Sequence, residues 1–255
     1  MKFCYFNYKN KNSWGLIKDN LVFPIQESEI FRESGSDITL TDSIDAWDVK
    51  FLPPVNPTKI VCVGRNYAEH AAEFGNEVPK VPLLFLKAPS SIITEGENIS
   101  IPEQTNQVEH EGELGVVIGR TCKNLSPDEN FADYIFGYVC LNDVTARDLQ
   151  REDVQFTRAK SFDTFCPVGA YIETDLDISD VRVITRVNDT IKQDGRTSQM
   201  VFPIAFLIPY ISRQMTLNAG DIIATGTPSG VSKLSPGDVC EVEIEGIGIL
   251  RNTVV

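Results

Sequence analysis

Apolar residues in this 255-residue chain gather in short runs broken by glycine, proline, asparagine and aspartate, and many of the runs are rich in valine and isoleucine. Runs of that length and composition predict strands. They fall at residues 2–8, 14–17, 21–25, 60–63, 83–87, 115–118, 135–141, 170–172, 181–187, 221–224 and 239–244. Helical patterning is confined to residues 68–75, stopping at Gly75, and to two longer stretches near 145–153 and 203–214. Many strands with few helices predict an α+β protein dominated by folded-over sheet. The prolines of Leu52-Pro53-Pro54-Val55-Asn56-Pro57 make a stiff, extended connector. It divides the chain into a small N-terminal β-rich domain, residues 1–55, and a main domain, residues 56–255. About fifty residues hardly bury a core alone, so the first unit must pack on the second. Within it, Asn10-Lys11-Asn12-Ser13 is expected to form the first turn.

One predicted strand departs from simple patterning. His110-Glu111-Gly112-Glu113-Leu114-Gly115-Val116-Val117-Ile118-Gly119 is a buried-strand sequence that begins with two acids one residue apart. Side chains at i and i+2 share a face, with roughly 6.6–6.8 Å of rise between them. Two carboxylates at the edge of an apolar core repel each other unless a cation or proton joins them. An exposed strand end would avoid the conflict; a hard divalent metal would resolve it. A third acid, Asp143, ends the predicted strand 135–141 and its extension Asn142. Glu111, Glu113 and Asp143 together would suit magnesium or manganese, with open positions left for water and substrate.

Two further groups carry chemistry. His70 and Glu73 are i and i+3 on the short helix 68–75, so they share a face. A carboxylate beside an imidazole fixes its tautomer and raises its basicity, as a general base requires. The other histidine, His110, should point away from Glu111 by strand alternation and so be structural. Lys160, in Ala159-Lys160-Ser161-Phe162-Asp163, is a lone lysine among small and apolar residues, suited to a carboxylate contact or to a depressed pKa. Gly226-Thr227-Pro228-Ser229-Gly230 is a tight turn with exposed amides, able to hold an oxyanion.

The net charge of −13 and the absence of a basic stripe exclude a nucleic-acid surface and disfavour acidic lipid headgroups. An anionic substrate would need a bound metal and local cations to reverse the field. No apolar run approaches the ~18 residues that span a bilayer. The first residues have no signal-peptide core, and a cytoplasmic protein is expected. Six cysteines without a C-x-x-C pair are expected to be reduced and mostly buried.

Six blocks now stand in order: Gly64-Arg65-Asn66-Tyr67-Ala68-Glu69-His70; His110 to Leu114; Leu141-Asn142-Asp143-Val144-Thr145-Ala146-Arg147-Asp148; Ala159 to Asp163; Asp221 to Pro228; and Val242 to Gly248. Together they resemble the fumarylacetoacetate hydrolase family, over residues 58–255. The resemblance implies a β-rich roll of folded mixed sheets and a homodimer. It matches Glu111, Glu113 and Asp143 to magnesium (or manganese) ligands. His70 and Glu73 match a catalytic dyad on a lid around residues 66–80, and Lys160 a lysine that assists at the metal. Thr227 matches a substrate-contacting turn, with Arg65 and Lys87 as further substrate-binding candidates. Ala88 and Asn188-Asp189 depart from the family pattern, which puts substrate contacts in question more than chemistry. The implied activity is metal-dependent C–C hydrolysis of a small β-diketo acid such as an acylpyruvate or fumarylpyruvate. The alternatives are an oxaloacetate-type decarboxylase or a hydroxymuconate-type isomerase, all proceeding through an enolate of a 2-oxo acid. A Schiff base on Lys160 would be a different mechanism.

Overall fold

Two-residue turns set the first registers. Lys9-Asn10 and Asp19-Asn20 have φ of 49° and 64°, and of 51° and 62°, the paired left-handed geometry of tight hairpins that asparagine and aspartate tolerate best. The turn expected at residues 10–13 is therefore one step earlier, and the second strand runs Lys11–Lys18. Asn188-Asp189 (φ 50° and 63°) is a third such turn, so the departure from a common Asn-Gly is a hairpin with aspartate in the glycine place.

The computed structural model describes residues 1–26, 30, 42–126 and 128–255. Lys2–Tyr8, Lys11–Lys18 and Leu21–Ile25 form an antiparallel meander, with Ile44–Asp45 outside it and Lys50–Leu52 paired to Lys2–Tyr8. Lys2–Tyr8 also pairs with Tyr171–Glu173. Through that contact the sheet continues into Ile135–Asn142, Gly112–Ile118, Ile222–Ala224, Ile60–Gly64 and Leu83–Lys87, making eleven strands. The pair Ile222–Ala224 and Ile60–Gly64 is parallel. The N-terminal strands thus end the main sheet, and Phe3 and Leu16 share a core cluster with Ile60, Cys62 and Val139.

A second, four-stranded antiparallel sheet has the order Thr190–Arg196, Arg182–Val187, Val239–Ile244, Gly248–Thr253. Its two outer strands were not expected from sequence, because as edge strands they expose polar residues and lack a continuous apolar run. The long helix, Ile204–Gln214, buries Ile204, Leu207, Ile208 and Ile211. The stretch near 145–153 is a bridge strand Thr145–Ala146 followed by the helix Arg147–Glu152. Ala68–Glu73 is helical, and an unexpected short helix, Thr157–Lys160, carries Lys160.

Strand alternation sorts the main sheet into two cores. Val61, Leu114, Val116, Cys140 and Ile223 face the long helix and the second sheet. Ile60, Cys62, Val117, Val139, Leu141 and Ala224 face the other way. All six cysteines are buried and unpaired, spread over four core clusters. Among the described residues no helix is long and apolar enough to cross a membrane.

Candidate active site

Period-two parity puts Glu113 on the same face as Val117, Asp143 with Leu141, and Lys87 with Phe85. These strands end together, so their last side chains converge. Glu113 lies opposite Leu141, and the Asp143 amide donates to the Glu111 carbonyl at 2.8 Å. The two acids read as neighbours on one face are joined there by the third: ligand oxygens of Glu111, Glu113 and Asp143 lie within 4.8 Å of one another, all three buried.

The glycine between the acids has a packing reason. A Cβ at Gly112 would stand 2.0 Å from Thr185 Oγ1 in the second sheet, so only glycine lets that sheet close against the strand end. Gly226 (φ 101°) is likewise required: a Cβ would meet Asn66 Cβ at 2.7 Å. Its amide donates to Glu113 Oε2 at 2.8 Å.

Three buried cations answer the carboxylates unevenly. Lys160 Nζ donates to Glu111 Oε2 and Asp143 Oδ2, both at 2.8 Å. Lys87 Nζ donates to Asp143 Oδ1 at 2.6 Å, and Arg147 bonds both Glu111 and Glu109. Burial alone would raise the Glu111 carboxyl, but Lys160, Arg147 and His70 hold it well below the usual range. Glu113 forms no ion pair among the described residues. Burial, then Asp143 and Glu111, push its carboxyl well above the ordinary value. An all-oxygen donor set with one uncompensated carboxylate fits a hard divalent cation, which would relieve that deficit.

Lys160 is corrected in one respect. Burial would lower its pKa, but Asp143 and Glu111 outweigh burial and hold the ammonium protonated, so it is raised. A protonated, doubly ion-paired lysine is no Schiff-base nucleophile.

The dyad comes together as expected. His70 Nδ1 lies 3.4 Å from Glu73 Oε2. A carboxylate only accepts, so Nδ1 carries the proton and Nε2 keeps its lone pair. Burial, set against Glu111 and Glu73, keeps the imidazole pKa below 6.5. Glu73 also accepts from the Gly230 amide at 3.1 and 3.3 Å, which ties the helix to the 226–230 turn.

Glu111, Glu113, Asp143, His70, Lys160, Thr227 and Arg65 line one cavity of about 350 Å³. Lys87 does not: it is 1% exposed and held behind Asp143, so the expected substrate contact becomes a charge-compensating one. Glu73 stands behind His70. His110 lies away from the cavity, bonded to Gln193 and Ser232. Sequence reasoning assigned no role to Arg147, Gln150, Arg151 or Phe74, all of which line the cavity. The Arg147 guanidinium sits 4.7 Å from the Phe74 ring centroid. The available signal was an arginine among small residues four positions after Asp143. Arg65 and Arg151, which also line the cavity, form no ion pair among the described residues.

Residues 59–255 match the family described as Fumarylacetoacetate (FAA) hydrolase C-terminal. The chain is 42% identical over 222 residues to oxaloacetate tautomerase YisK of Bacillus subtilis, covering 81% of this chain and 72% of that protein. It is 44% identical over 196 residues to a mitochondrial oxaloacetate decarboxylase of Dictyostelium discoideum, covering 74% and 89%. The crystal structure of 2-hydroxyhepta-2,4-diene-1,7-dioate isomerase from Mycobacterium marinum superposes with a TM-score of 0.90 at 39% identity, covering 100% of this chain and 98% of the other. The β-rich architecture, the six sequence blocks and these likenesses agree: the chain belongs to the fumarylacetoacetate hydrolase family.

Proposed function

We propose that this protein is a divalent-metal-dependent enzyme that interconverts the keto and enol forms of a small 2-oxo acid of the oxaloacetate type. The observation that carries the reading is the placing of a neutral, carboxylate-oriented histidine in the same cavity as three converging carboxylates. Glu111, Glu113 and Asp143 would hold magnesium or manganese, which supplies Lewis-acid polarisation of the 2-oxo group. His70 Nε2 takes the proton from the carbon next to that group, and Glu73 steadies the imidazolium that results. The same proton then returns to the oxygen, or the reverse. General-base help of this kind is worth about 10²–10⁴-fold. Arg65 and Arg151 attract and orient the anion.

The names of the relatives support tautomerisation, decarboxylation or isomerisation better than the hydrolysis first expected. Hydrolysis would employ the same dyad to activate water, and decarboxylation would leave the dyad idle. The test follows enol–keto exchange of oxaloacetate, carbon dioxide release and acetylpyruvate cleavage, each with magnesium, manganese or EDTA. Metal-dependent exchange above the buffer rate is expected. Acetylpyruvate cleavage without exchange would reinstate the hydrolase.

A further inference from the structure

We propose that Gln193 is a positioning residue that holds the metal-site carboxylates and the dyad in register without touching the cavity; this rests on the site assignment above. Gln193 is fully buried on the outer strand Thr190–Arg196 of the second sheet. It is not among the residues that line the cavity, yet its carboxamide reaches both halves of the site. Oε1 accepts from the Gly112 amide at 3.0 Å and lies 3.1 Å from His110 Nδ1. Nε2 donates to Thr227 Oγ1 and to the Pro228 carbonyl, both at 2.7 Å.

The partners allow one orientation. A backbone amide only donates and a carbonyl only accepts, so the carboxamide cannot be flipped. His110 must then carry its proton on Nδ1, and its Nε2 accepts from the Ser232 hydroxyl at 2.9 Å. The Thr227 hydroxyl, already accepting from Gln193, gives its own proton to the Gly112 carbonyl at 2.8 Å. A closed ring results: Gly112 amide to Gln193, Gln193 to Thr227, Thr227 back to the Gly112 carbonyl.

The ring grips the two places where the site is set. Gly112 is the backbone between Glu111 and Glu113. Thr227 and Pro228 begin the turn whose Gly226 amide holds Glu113 and whose Gly230 amide holds Glu73. Gln193 therefore fixes the distance between the acids and the base through two short backbone segments. The same turn rests on its strand with no slack, since a Cβ at Gly230 would lie 1.9 Å from the Lys192 carbonyl.

Two measurements test this. In the intact magnesium-loaded protein, nitrogen-15 NMR of the imidazoles reads the tautomer directly. With only two histidines, His70→Gln assigns them. Nδ1–H on His110 is expected; Nε2–H would leave Nδ1 an acceptor, which requires the flipped carboxamide, and would overturn the proposal. Second, Gln193→Met should weaken manganese affinity and lower kcat by about 10–100-fold, the range for outer-shell partners of a metal site. KM should change less. Thr227→Val should act in the same direction, and the double variant should lose no more than the worse single one. A folded Gln193→Met protein with unchanged manganese affinity, or additive losses, would reduce Gln193 to a packing residue. Manganese affinity and tautomer do not depend on turnover, so absence of any wild-type reaction would fault the proposed function and leave this inference standing.

Discussion

Glu113 carries the sharpest conflict between stability and function among the site residues. Burial, Asp143 and Glu111 all disfavour its ionised form. A carboxyl whose folded pKa is raised contributes stability that is complete below its unfolded pKa and lost as pH rises through the folded value. Without metal, the folded protein should therefore weaken as pH rises above the ordinary carboxylate range. Glu113→Gln should remove that slope and raise the metal-free melting temperature at neutral pH. It should also abolish manganese binding in a calorimeter, where unchanged affinity would sink the three-carboxylate assignment. His110 has the opposite behaviour. Burial lowers its pKa to about 4, partly offset by Gln193. The unfolded chain binds that proton first, so stability should fall as pH drops from 6.5 to about 4, by about 3 kcal/mol. His110→Gln should flatten that window in denaturant titrations. At this scale the sequence was legible where a residue conflicts with its pattern: two acids opening an apolar strand, or a lysine among small residues. Gln193 and Arg147 conflict with nothing around them, so they pass unnoticed until the fold shows what they reach.

The helix Ala68–Glu73 is the element on which the proposed reaction most depends, and it buries only His70 and Ala71 of its own length. Beyond its chain connections, Glu73 bonds the Gly230 amide, Ser229 bonds Glu69, and Phe74 meets Arg147. A two-turn helix has no stability of its own. Amides around residues 66–80 should exchange fast in the metal-free protein and slow markedly with magnesium plus oxalate. Equal protection in both states would argue against a moving lid. Strand alternation predicted most inner strands because burial on one or both faces leaves a strong apolar signal. The outer strands Thr190–Arg196 and Gly248–Thr253 escaped, since exposure removes that signal, and Gln193 went with them. The glycine of Glu111-Gly112-Glu113 was legible as a strand residue, but its purpose was not. Thr185, 73 residues further along the chain, supplies it. Gly112→Ala should force the sheets apart, with a loss of about 1–3 kcal/mol by thermal unfolding.

Over the whole molecule, a charge of −13 surrounds a cavity that keeps unmatched guanidiniums. On the proposed reading the general field repels the anionic substrate, and Arg65 would reverse it locally. Arg65→Ala should raise KM for oxaloacetate by about 10-fold or more, with less effect on kcat, in steady-state assays. A KM that stays fixed would remove Arg65 from substrate binding. The long sheet that runs from the N-terminal meander into the catalytic strands was only half legible. The proline-rich connector and the short first unit are plain in sequence, whereas the pairing of Lys2–Tyr8 with Tyr171–Glu173 joins segments too distant for any local pattern to reveal.

The cysteines make this architecture observable from within. Each core cluster holds at least one: Cys4 near the N-terminal meander, Cys62 and Cys166 under the site, Cys122 and Cys140 beneath the long helix, and Cys240 in the second sheet. Burial pushes Cys4, Cys140, Cys166 and Cys240 up to about 12, so none presents a thiolate while its cluster stays closed. Labelling by a thiol reagent then becomes a clock for local opening, with a separate dial in each part of the molecule. Metal should slow the clocks at Cys62 and Cys166 and leave the one at Cys4 running at its former rate.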